Sequence, residues 1–287
     1  MTGLAPAVLA WAAGTLGARP EAEDASRPRT DARVWKLTLP DGARFYLKLS
    51  PRPLMYERET LALRHAAPAL GAGHAPRLRA SNAQHLALLL TAVPGRSLEQ
   101  QTLTPADEAR AHRHGGVLLA RLHRAGELSG PRRKEAAAAL RAAADGAGNH
   151  LHRAGLTAPE RKLVRGLTTR LRTLPPLPLA FTHGDARERN LLWSRTHRQA
   201  GWIDFDRSRF ATAVQDFVPL ACTTWTDRPD LRAAFLQGYG RDLTPEEKQA
   251  LTCLAGIDAV NCLAHHDPTL TARGRRTLDR LMAGVFA

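Results

Sequence analysis

The residues best suited to chemistry lie in the stretch 181–206, which reads FTHGDARERNLLWSRTHRQAGWIDFD. The polar side chains in this stretch that could act together in one reaction are those of His183, Asp185, Asn190 and Asp204. An aspartate on a loop that follows a strand can accept a proton from a substrate hydroxyl. Asn190 and Asp204 offer the amide and carboxylate oxygens that Mg²⁺ prefers, and bound magnesium usually keeps phosphate oxygens as further ligands. The pattern therefore predicts magnesium-dependent phosphoryl transfer, with Asp185 as the base and Asn190 and Asp204 as metal ligands.

A simpler interpretation treats Asp185 and Asn190 as turn formers that follow a strand. Turn formation requires neither His183 nor the second aspartate, Asp204, which lies in an apolar strand expected at 201–205. We expect this strand to be the partner of the strand that precedes Asp185. The combined pattern favours the catalytic interpretation.

The elements that must position these residues begin with a β-hairpin. Alternating apolar runs at 34–39 and 43–50 flank the dipeptide Asp41-Gly42, which is a strong hairpin signal. The other elements expected in this part of the chain are a helix at 4–18, a loop at 20–31, a helix at 54–66, and strands near 77–80 and 86–91 with Ser81-Asn82 at their turn.

Pro94-Gly95 interrupts this pattern and is the best candidate for a domain boundary. The elements expected after it are helices at 104–125, 131–147 and 157–173, strands at 179–182 and 201–205, and helices from about 213 to the end. The sequence therefore predicts an α+β protein of two lobes. A small β-rich lobe with one main helix spans 1–92, and a larger, mostly helical lobe spans 93–287.

The composition fits a globular protein with a strongly basic surface. The chain has 287 residues, of which 44% are apolar, and a formal net charge of +14. All but five of its 41 basic residues are arginines, and they are scattered without a run of five or six. Dispersed charge is a weaker sign of nucleic-acid binding than a basic stripe, so nucleic acid is not the expected partner.

The N-terminus and the cysteines indicate a cytoplasmic protein. The first apolar run has no basic residue before it, unlike a secretory signal, and no apolar stretch is long enough to span a membrane. The three cysteines, Cys222, Cys253 and Cys262, have neither disulfide-framework nor metal-finger spacing, which is typical of a reducing compartment.

The triplet His183-Gly184-Asp185, the spacing to Asn190 and the later Ile203-Asp204-Phe205 resemble the aminoglycoside phosphotransferase family and its choline-kinase relatives. The resemblance covers roughly 30–220. It implies a bilobal protein-kinase-like fold that binds ATP or GTP with Mg²⁺ in the cleft between the lobes. The protein-kinase loop itself has arginine where this chain has Gly184.

The resemblance also implies which residues bind the nucleotide. A lysine on a strand of the small lobe should grip the phosphates, and Lys48 fits, the alternative being a solvated strand lysine. A glutamate on the next helix should hold that lysine, and Glu59 fits better than its competitor Glu57. The hinge residues whose backbone would meet the adenine edge are Thr91, Ala92 and Val93.

Three further roles follow from the resemblance. Arg187 lies two residues after Asp185, where protein kinases that modify serine have a lysine, and can stabilise charge on the moving phosphoryl group. A surface arginine contacting the lobe is the alternative. Asp216 matches an aspartate that braces the catalytic loop from behind, and we expect His183 to act in support as well.

The chain departs from the family in the phosphate loop and after Asp204. No glycine occurs between Gly17 and Gly42, so we expect side-chain donors to assist there. The donors considered are Arg29, Arg33 and Lys36. Asp206 stands where relatives have glycine, and is either an additional ligand near the metal or a turn cap.

The resemblance predicts a phosphotransferase with an alcohol acceptor, here a hydroxyl of an antibiotic or related natural product. Carboxylates in the C-terminal helices are diluted by arginine, which argues for a neutral or partly anionic acceptor. Residues considered for its pocket, although ordinary core or surface roles explain each better, are Trp225, Asp258, His265, His266 and Asp267. The alternatives are a metabolite kinase for choline, homoserine or a sugar, and a non-catalytic kinase-like module that binds RNA.

Overall fold

The computed structural model describes residues 4–27, 32–126, 128–151, 154–265 and 267–286. Arg29 and His266, both considered above, lie outside the described residues. Within the described part of the chain, no helix has the length and apolar character that crossing a bilayer requires.

The N-terminal part is an antiparallel sheet of five strands in the order β1-β2-β3-β5-β4, with one helix before it and one between its third and fourth strands. Its elements are α1 (Pro6–Leu16), β1 (Glu21–Asp24), β2 (Arg33–Thr38), β3 (Arg44–Leu49), α2 (Pro53–His65), β4 (Leu78–Asn82) and β5 (Ala87–Thr91). The hairpin prediction is confirmed, since β2 and β3 pair from Arg33↔Leu49 to Thr38↔Arg44. Gly42 in its turn has a φ of 84°, which glycine adopts without strain.

Two expectations for this sheet were wrong. The segment expected as a loop at 20–31 begins with strand β1, whose four residues are all exposed. Ser81-Asn82 belong to β4 and pair with β5, so the turn lies after them. In both cases polar side chains occupy an edge strand of the sheet, where side chains and backbone meet solvent.

The two faces of the sheet pack against different helices. Trp35 and Leu47 form a small core with Val8 of α1. Leu88 and Leu90 belong instead to the large core that includes Tyr56 of α2. Because successive strand residues point to opposite faces, Lys48, which pairs with Leu88, lies on the α2 side.

The C-terminal part is mostly helical, as predicted. Its helices are α3 (Pro105–Arg124), α4 (Gly130–His150), α5 (Ala158–Arg172), α6 (Val218–Ala221), α7 (Thr224–Asp227), α8 (Pro229–Tyr239), α9 (Pro245–Ala264) and α10 (Pro268–Met282). Its strands are β6 (Arg96–Ser97), β7 (Leu179–Thr182), β8 (Leu191–Ser194), β9 (Gln199–Trp202) and β10 (Arg209–Thr212). These short strands carry the loops of the site. The α+β prediction, with a small sheet lobe and a larger helical lobe, is confirmed.

The strand pairing around the site differs from the expectation. β7, which precedes Asp185, pairs with β10, whereas β9 pairs with β8. β9 also ends at Trp202, so Asp204 lies on the following loop rather than in the strand. The two loops are nevertheless adjacent, because the N–H of Ile203 donates to the carbonyl of Asn190 at 3.0 Å.

We propose the boundary between the lobes at 92/93, as the sequence predicts. β5 ends at Thr91 in the N-terminal sheet, and β6 at Arg96–Ser97 already pairs with β8 of the other lobe. Gly95, between them, has a φ of 111°, and a Cβ there would lie 2.5 Å from the backbone of Trp193.

The crossing of α3 and α8 provides a test of this packing. A Cβ on Gly116 would lie 2.0 Å from the carbonyl oxygen of Phe235, so Gly116→Ala must push the helices apart. We expect it to lower the free energy of unfolding by about 1–3 kcal/mol in urea denaturation. Gly166 of α5 is the control, since its Cβ would meet open space and alanine there should stabilise the helix by about 0.5–1 kcal/mol. Equal effects of the two substitutions would contradict the close crossing.

Candidate active site

The loop after β7 is fixed from behind by the buried carboxylate of Asp216. The backbone N–H groups of His183 and Gly184 each donate to it at 2.7 Å. His123 Nε2 lies 2.9 Å from the same carboxylate, and His123 Nδ1 lies 2.8 Å from the hydroxyl of Tyr239. Asp216 thus has the bracing contacts that the resemblance implies, and His123 has a structural position behind it.

Gly184 is required by the shape of this loop. Its φ is 81°, and a Cβ would lie 2.3 Å from the carbonyl oxygen of Arg207. A larger residue therefore cannot replace it without moving the backbone. This close approach explains why the chain has glycine where protein kinases have arginine.

His183 connects the Asp185 loop to the Asp204 loop. Its ring is buried, with Nε2 lying 3.1 Å from the carbonyl of Ile203. Its Nδ1 lies 3.3 Å from the N–H of Asp185, which donates to it. The ring therefore supports both loops, with Nε2 as the donor and Nδ1 as the acceptor.

Asp185 lies in a cationic environment. Its Oδ1 forms an ion pair with Arg187 Nε at 2.6 Å, and its Oδ2 accepts from Arg189 Nη2 at 2.7 Å. Burial alone would raise the pKa of Asp185, but these guanidinium groups outweigh it and hold the pKa well below the usual value. Asp185 is therefore ionised throughout the physiological pH range.

Asn190 turns back onto the catalytic loop. Its Nδ2 donates to the carbonyl of Asp185 at 2.9 Å and to the Asp185 carboxylate at 3.0 Å. These bonds fix the amide so that Oδ1 points away from Asp185. The Oδ1 accepts instead from Arg27 of the N-terminal lobe.

Asp204 has a strained backbone conformation and contacts the N-terminal lobe. Its φ of 70° is uncommon for a residue other than glycine and is typical of functional positions. Its Oδ1 contacts Lys48 Nζ across the cleft. Burial opposes ionisation, but the ammonium group lowers the pKa of Asp204.

Lys48 is surrounded by three carboxylates. Glu59 Oε2 lies 2.8 Å and Asp206 Oδ2 3.4 Å from its Nζ, in addition to the Asp204 contact. Glu59 is buried, whereas the competing Glu57 is exposed. The contacts with these carboxylates outweigh burial and raise the pKa of Lys48, so the lysine is charged. Asp206 faces inward, which favours the ligand alternative over a turn cap.

Glu59, Asp204 and Asp206 form an acidic cluster around the Lys48 ammonium. One ligand atom from each of Glu59, Asp204 and Asp206 lies within 4.8 Å of the others. Burial raises the pKa of Glu59 and of Asp206, the charge of Asp204 raises both further, and Lys48 lowers both. Three carboxylates facing one ammonium leave an excess of negative charge. A bound cation would relieve this excess, and the oxygen-only donor set suits magnesium.

The expected hinge follows β5. The N–H of Thr91 donates to the carbonyl of Arg77 at 3.0 Å, so it is already used in pairing. The backbone groups of Ala92 and Val93 are therefore the better candidates to meet an adenine edge.

Two arginines at the site have no role assigned from the sequence. Arg189 contacts Asp185 as closely as Arg187 does. Arg27 was not considered, although it bonds to the catalytic loop. The spacing of Arg189, four residues after Asp185, could have indicated its contact. The contact of Arg27 has no local sequence signal. Of the donors considered, Lys36 instead pairs with Glu23 at 2.8 Å.

The four described residues considered for an acceptor pocket lie in different environments. Trp225 packs in the core, stacked 6.0 Å from Phe217. Asp267 caps α10, and His265 is exposed. Asp258 is paired with Arg273 at 3.1 Å. Of these four, Asp258 is the one whose charge acts on Arg187, whose pKa is lowered chiefly by burial.

Comparisons with known proteins identify the family of the chain. The model of the family described as "Phosphotransferase enzyme family" matches residues 27–251. The chain therefore belongs to this family, and the prediction of a phosphotransferase that acts on hydroxyl groups is confirmed. No curated protein sequence that was compared matches the chain.

Solved structures share the fold at low sequence identity. The macrolide 2'-phosphotransferase MphH from Brachybacterium faecium has a TM-score of 0.60 and 17% identity, with 96% of each chain covered. The streptomycin-ATP-APH(2")-IIa ternary complex has a TM-score of 0.68 and 15% identity, covering 100% of this chain and 99% of that chain. Spectinomycin phosphotransferase APH(9)-Ia, with ADP and spectinomycin, has a TM-score of 0.62 and 14% identity, covering 100% and 96%. The protein-kinase-like fold predicted from the sequence is thereby confirmed.

The bracing role of Asp216 predicts a pH-dependent stability. Although burial opposes it, the contact with His123 lowers the pKa of Asp216. Such a carboxyl stabilises the folded state above its unfolded pKa of about 3.9, and this stabilisation is lost as pH falls through the lower folded pKa. Asp216→Asn should therefore cost about 3 kcal/mol of unfolding free energy at pH 7, and the difference from wild type should shrink below about pH 4. A difference that does not change with pH would contradict the assignment.

Proposed function

We propose that this protein transfers the γ-phosphoryl group of ATP or GTP to a hydroxyl group of an antibiotic or a related natural product, with Mg²⁺. The observation that carries the proposal is the convergence of Asp185, Asn190, Asp204 and Lys48 from both lobes on one cleft. Phosphoryl transfer depends mainly on positioning and charge stabilisation, which such an arrangement supplies.

The residues of the cleft would have different roles in binding the nucleotide and the metal. Asn190 and Asp204 would hold magnesium, with Asp206 as a further candidate, and the metal would neutralise charge on the phosphates. Lys48, oriented by Glu59, would bind phosphate oxygens. The nucleotide base would meet the backbone at Ala92 and Val93.

Asp185 would orient the acceptor hydroxyl and accept its proton. Its lowered pKa makes it a weak base but keeps it ionised. That suits a loose transition state, in which the proton leaves late and orientation matters more than base strength. Arg187, whose side chain is 22% exposed beside Asp185, can stabilise charge on the transferred group.

The acceptor is proposed from the electrostatics. Asp258 is neutralised by Arg273, and arginines surround Asp185, so the wall that an acceptor would meet is not an acidic surface for a polycation. This favours a neutral or partly anionic acceptor. A metabolite kinase of the same fold remains the second candidate, since nothing in this wall requires an antibiotic.

We also propose that the protein acts in the cytoplasm. Cys222, Cys253 and Cys262 are free and buried, with thiol pKa values raised by burial. Unpaired structural thiols are typical of a reducing compartment.

Replacing the proposed base gives a first test. Asp185→Asn keeps the shape of the side chain but removes the charge that orients the hydroxyl. We expect turnover to fall by about 10²–10⁴-fold, with nucleotide affinity nearly unchanged. Phosphate transfer is measured by mass, and affinity by calorimetry. Asp145→Asn is the matched control, because Asp145 is exposed and pairs only with surface Arg172 among the contacts described. Normal turnover in Asp185→Asn would refute the base assignment.

The metal-ligand assignment gives a second test. Asp204→Asn should abolish the gain in nucleotide affinity that magnesium provides, because a carboxylate ligand is lost. Nucleotide titrations with magnesium and with a chelator measure that gain. The same gain in the variant and in the wild type would exclude Asp204 as a ligand.

The acceptor class can be identified directly. The protein is incubated with magnesium, ATP or GTP, and panels of macrolides, aminoglycosides, spectinomycin, choline, homoserine and sugars. The expected result is one added phosphate on an acceptor without several positive charges. Modification of polycationic aminoglycosides alone would contradict the electrostatic argument.

A further inference from the structure

Arg27 bridges the two lobes at the position where a metal–nucleotide complex would lie. It belongs to the segment between β1 and β2, which in this chain contains no glycine. Its Nη1 donates to Asn190 Oδ1 at 2.9 Å, and its Nη2 donates to the carbonyl of Arg189 at 2.6 Å. One guanidinium group thus contacts two consecutive residues of the catalytic loop from the opposite lobe.

The oxygen that Arg27 contacts is the one that would coordinate the proposed metal. Asn190 uses its Nδ2 for Asp185, so Oδ1 is the atom left to coordinate a cation. A guanidinium group and a divalent cation repel each other and compete for that oxygen. Binding of the metal therefore requires Arg27 to leave Asn190.

A displaced Arg27 would find a new partner close by. The triphosphate would be held by Lys48 and the proposed metal ligands, close to Arg27, which contacts Asn190. A guanidinium group binds phosphate oxygens through two parallel N–H donors. It can therefore supply from a side chain the donors that backbone amides cannot supply in a segment without glycine.

We propose that Arg27 is a nucleotide-binding residue that occupies Asn190 Oδ1 in the nucleotide-free protein and moves to the triphosphate when nucleotide and metal bind. This inference rests on the proposed function. Arg27 then has two opposite effects. Its side chain opposes binding of the metal alone and favours binding of the metal–nucleotide complex.

These opposite effects define the test. The variants are Arg27→Ala and Arg27→Gln, the second retaining a polar side chain without the charge. Arg44→Ala is the control, because Arg44 is an exposed arginine on β3 of the same sheet. Binding of Mn²⁺ alone is measured by electron paramagnetic resonance. Binding of a nucleoside, and separately of a non-hydrolysable triphosphate analogue with Mg²⁺, is measured by calorimetric titration. Adenosine and guanosine compounds are both used.

The expected result is a change of opposite sign for the two ligands. Both Arg27 variants should bind the triphosphate analogue about tenfold more weakly, since a charge-assisted contact is lost. They should bind Mn²⁺ alone more tightly and bind the nucleoside like the wild type. Arg44→Ala should bind all three ligands like the wild type. Loss of a merely structural contact would instead weaken every ligand together.

Unchanged or tighter binding of the analogue by the Arg27 variants would overturn the proposal, as would unchanged or weaker binding of Mn²⁺. A wild-type protein that binds neither analogue would instead refute the proposed function. The two failures are therefore distinguishable in one set of titrations.

Discussion

The geometry of the cleft depends on one buried carboxylate, that of Asp216. It accepts two backbone N–H groups at the start of the catalytic loop, and it contacts His123 of α3. Charge-assisted bonds of this kind are short and directional, so the loop is fixed to the helical core. His183 connects this loop to the Asp204 loop, because its two ring nitrogens bond to the N–H of Asp185 and to the carbonyl of Ile203. Both acidic loops are therefore held from behind, and their outward oxygens remain oriented towards the cleft.

The two walls of the cleft have opposite charge. Three carboxylates surround Lys48 on one side, whereas arginines surround Asp185 on the other. A metal–nucleotide complex carries both a divalent cation and several negative phosphate charges. The cation can bind at the acidic wall, and the phosphates can contact the arginines of the other wall. Because the groups are partly buried, their interactions are screened less by salt than those on the surface. The arrangement explains why charged residues of both signs are kept together in a partly buried site.

The sequence predicted those parts of the fold and site that depend on local spacing. The hairpin of β2 and β3 and the contact of Asn190 with Asp185 are examples, since turn residues and short fixed spacings determine them. β1 was missed because its four residues, Glu21–Asp24, are exposed and lack apolar alternation. The pairing of β7 with β10, and the contact of Arg27 with residues 162 and 163 positions away, depend on tertiary packing that no local pattern encodes.

The absence of glycine between β1 and β2 and the abundance of arginine have a common physical interpretation. Backbone amides reach phosphates only where the chain approaches closely, which favours glycine. A guanidinium group reaches farther, but ordering such a side chain costs about 2 kcal/mol of rotamer entropy. In its proposed role, Arg27 is already ordered by Asn190 and the Arg189 carbonyl before nucleotide binds. Part of that entropy is therefore lost already on folding, and the contacts that Arg27 breaks at Asn190 are exchanged for charge-assisted bonds to phosphate oxygens.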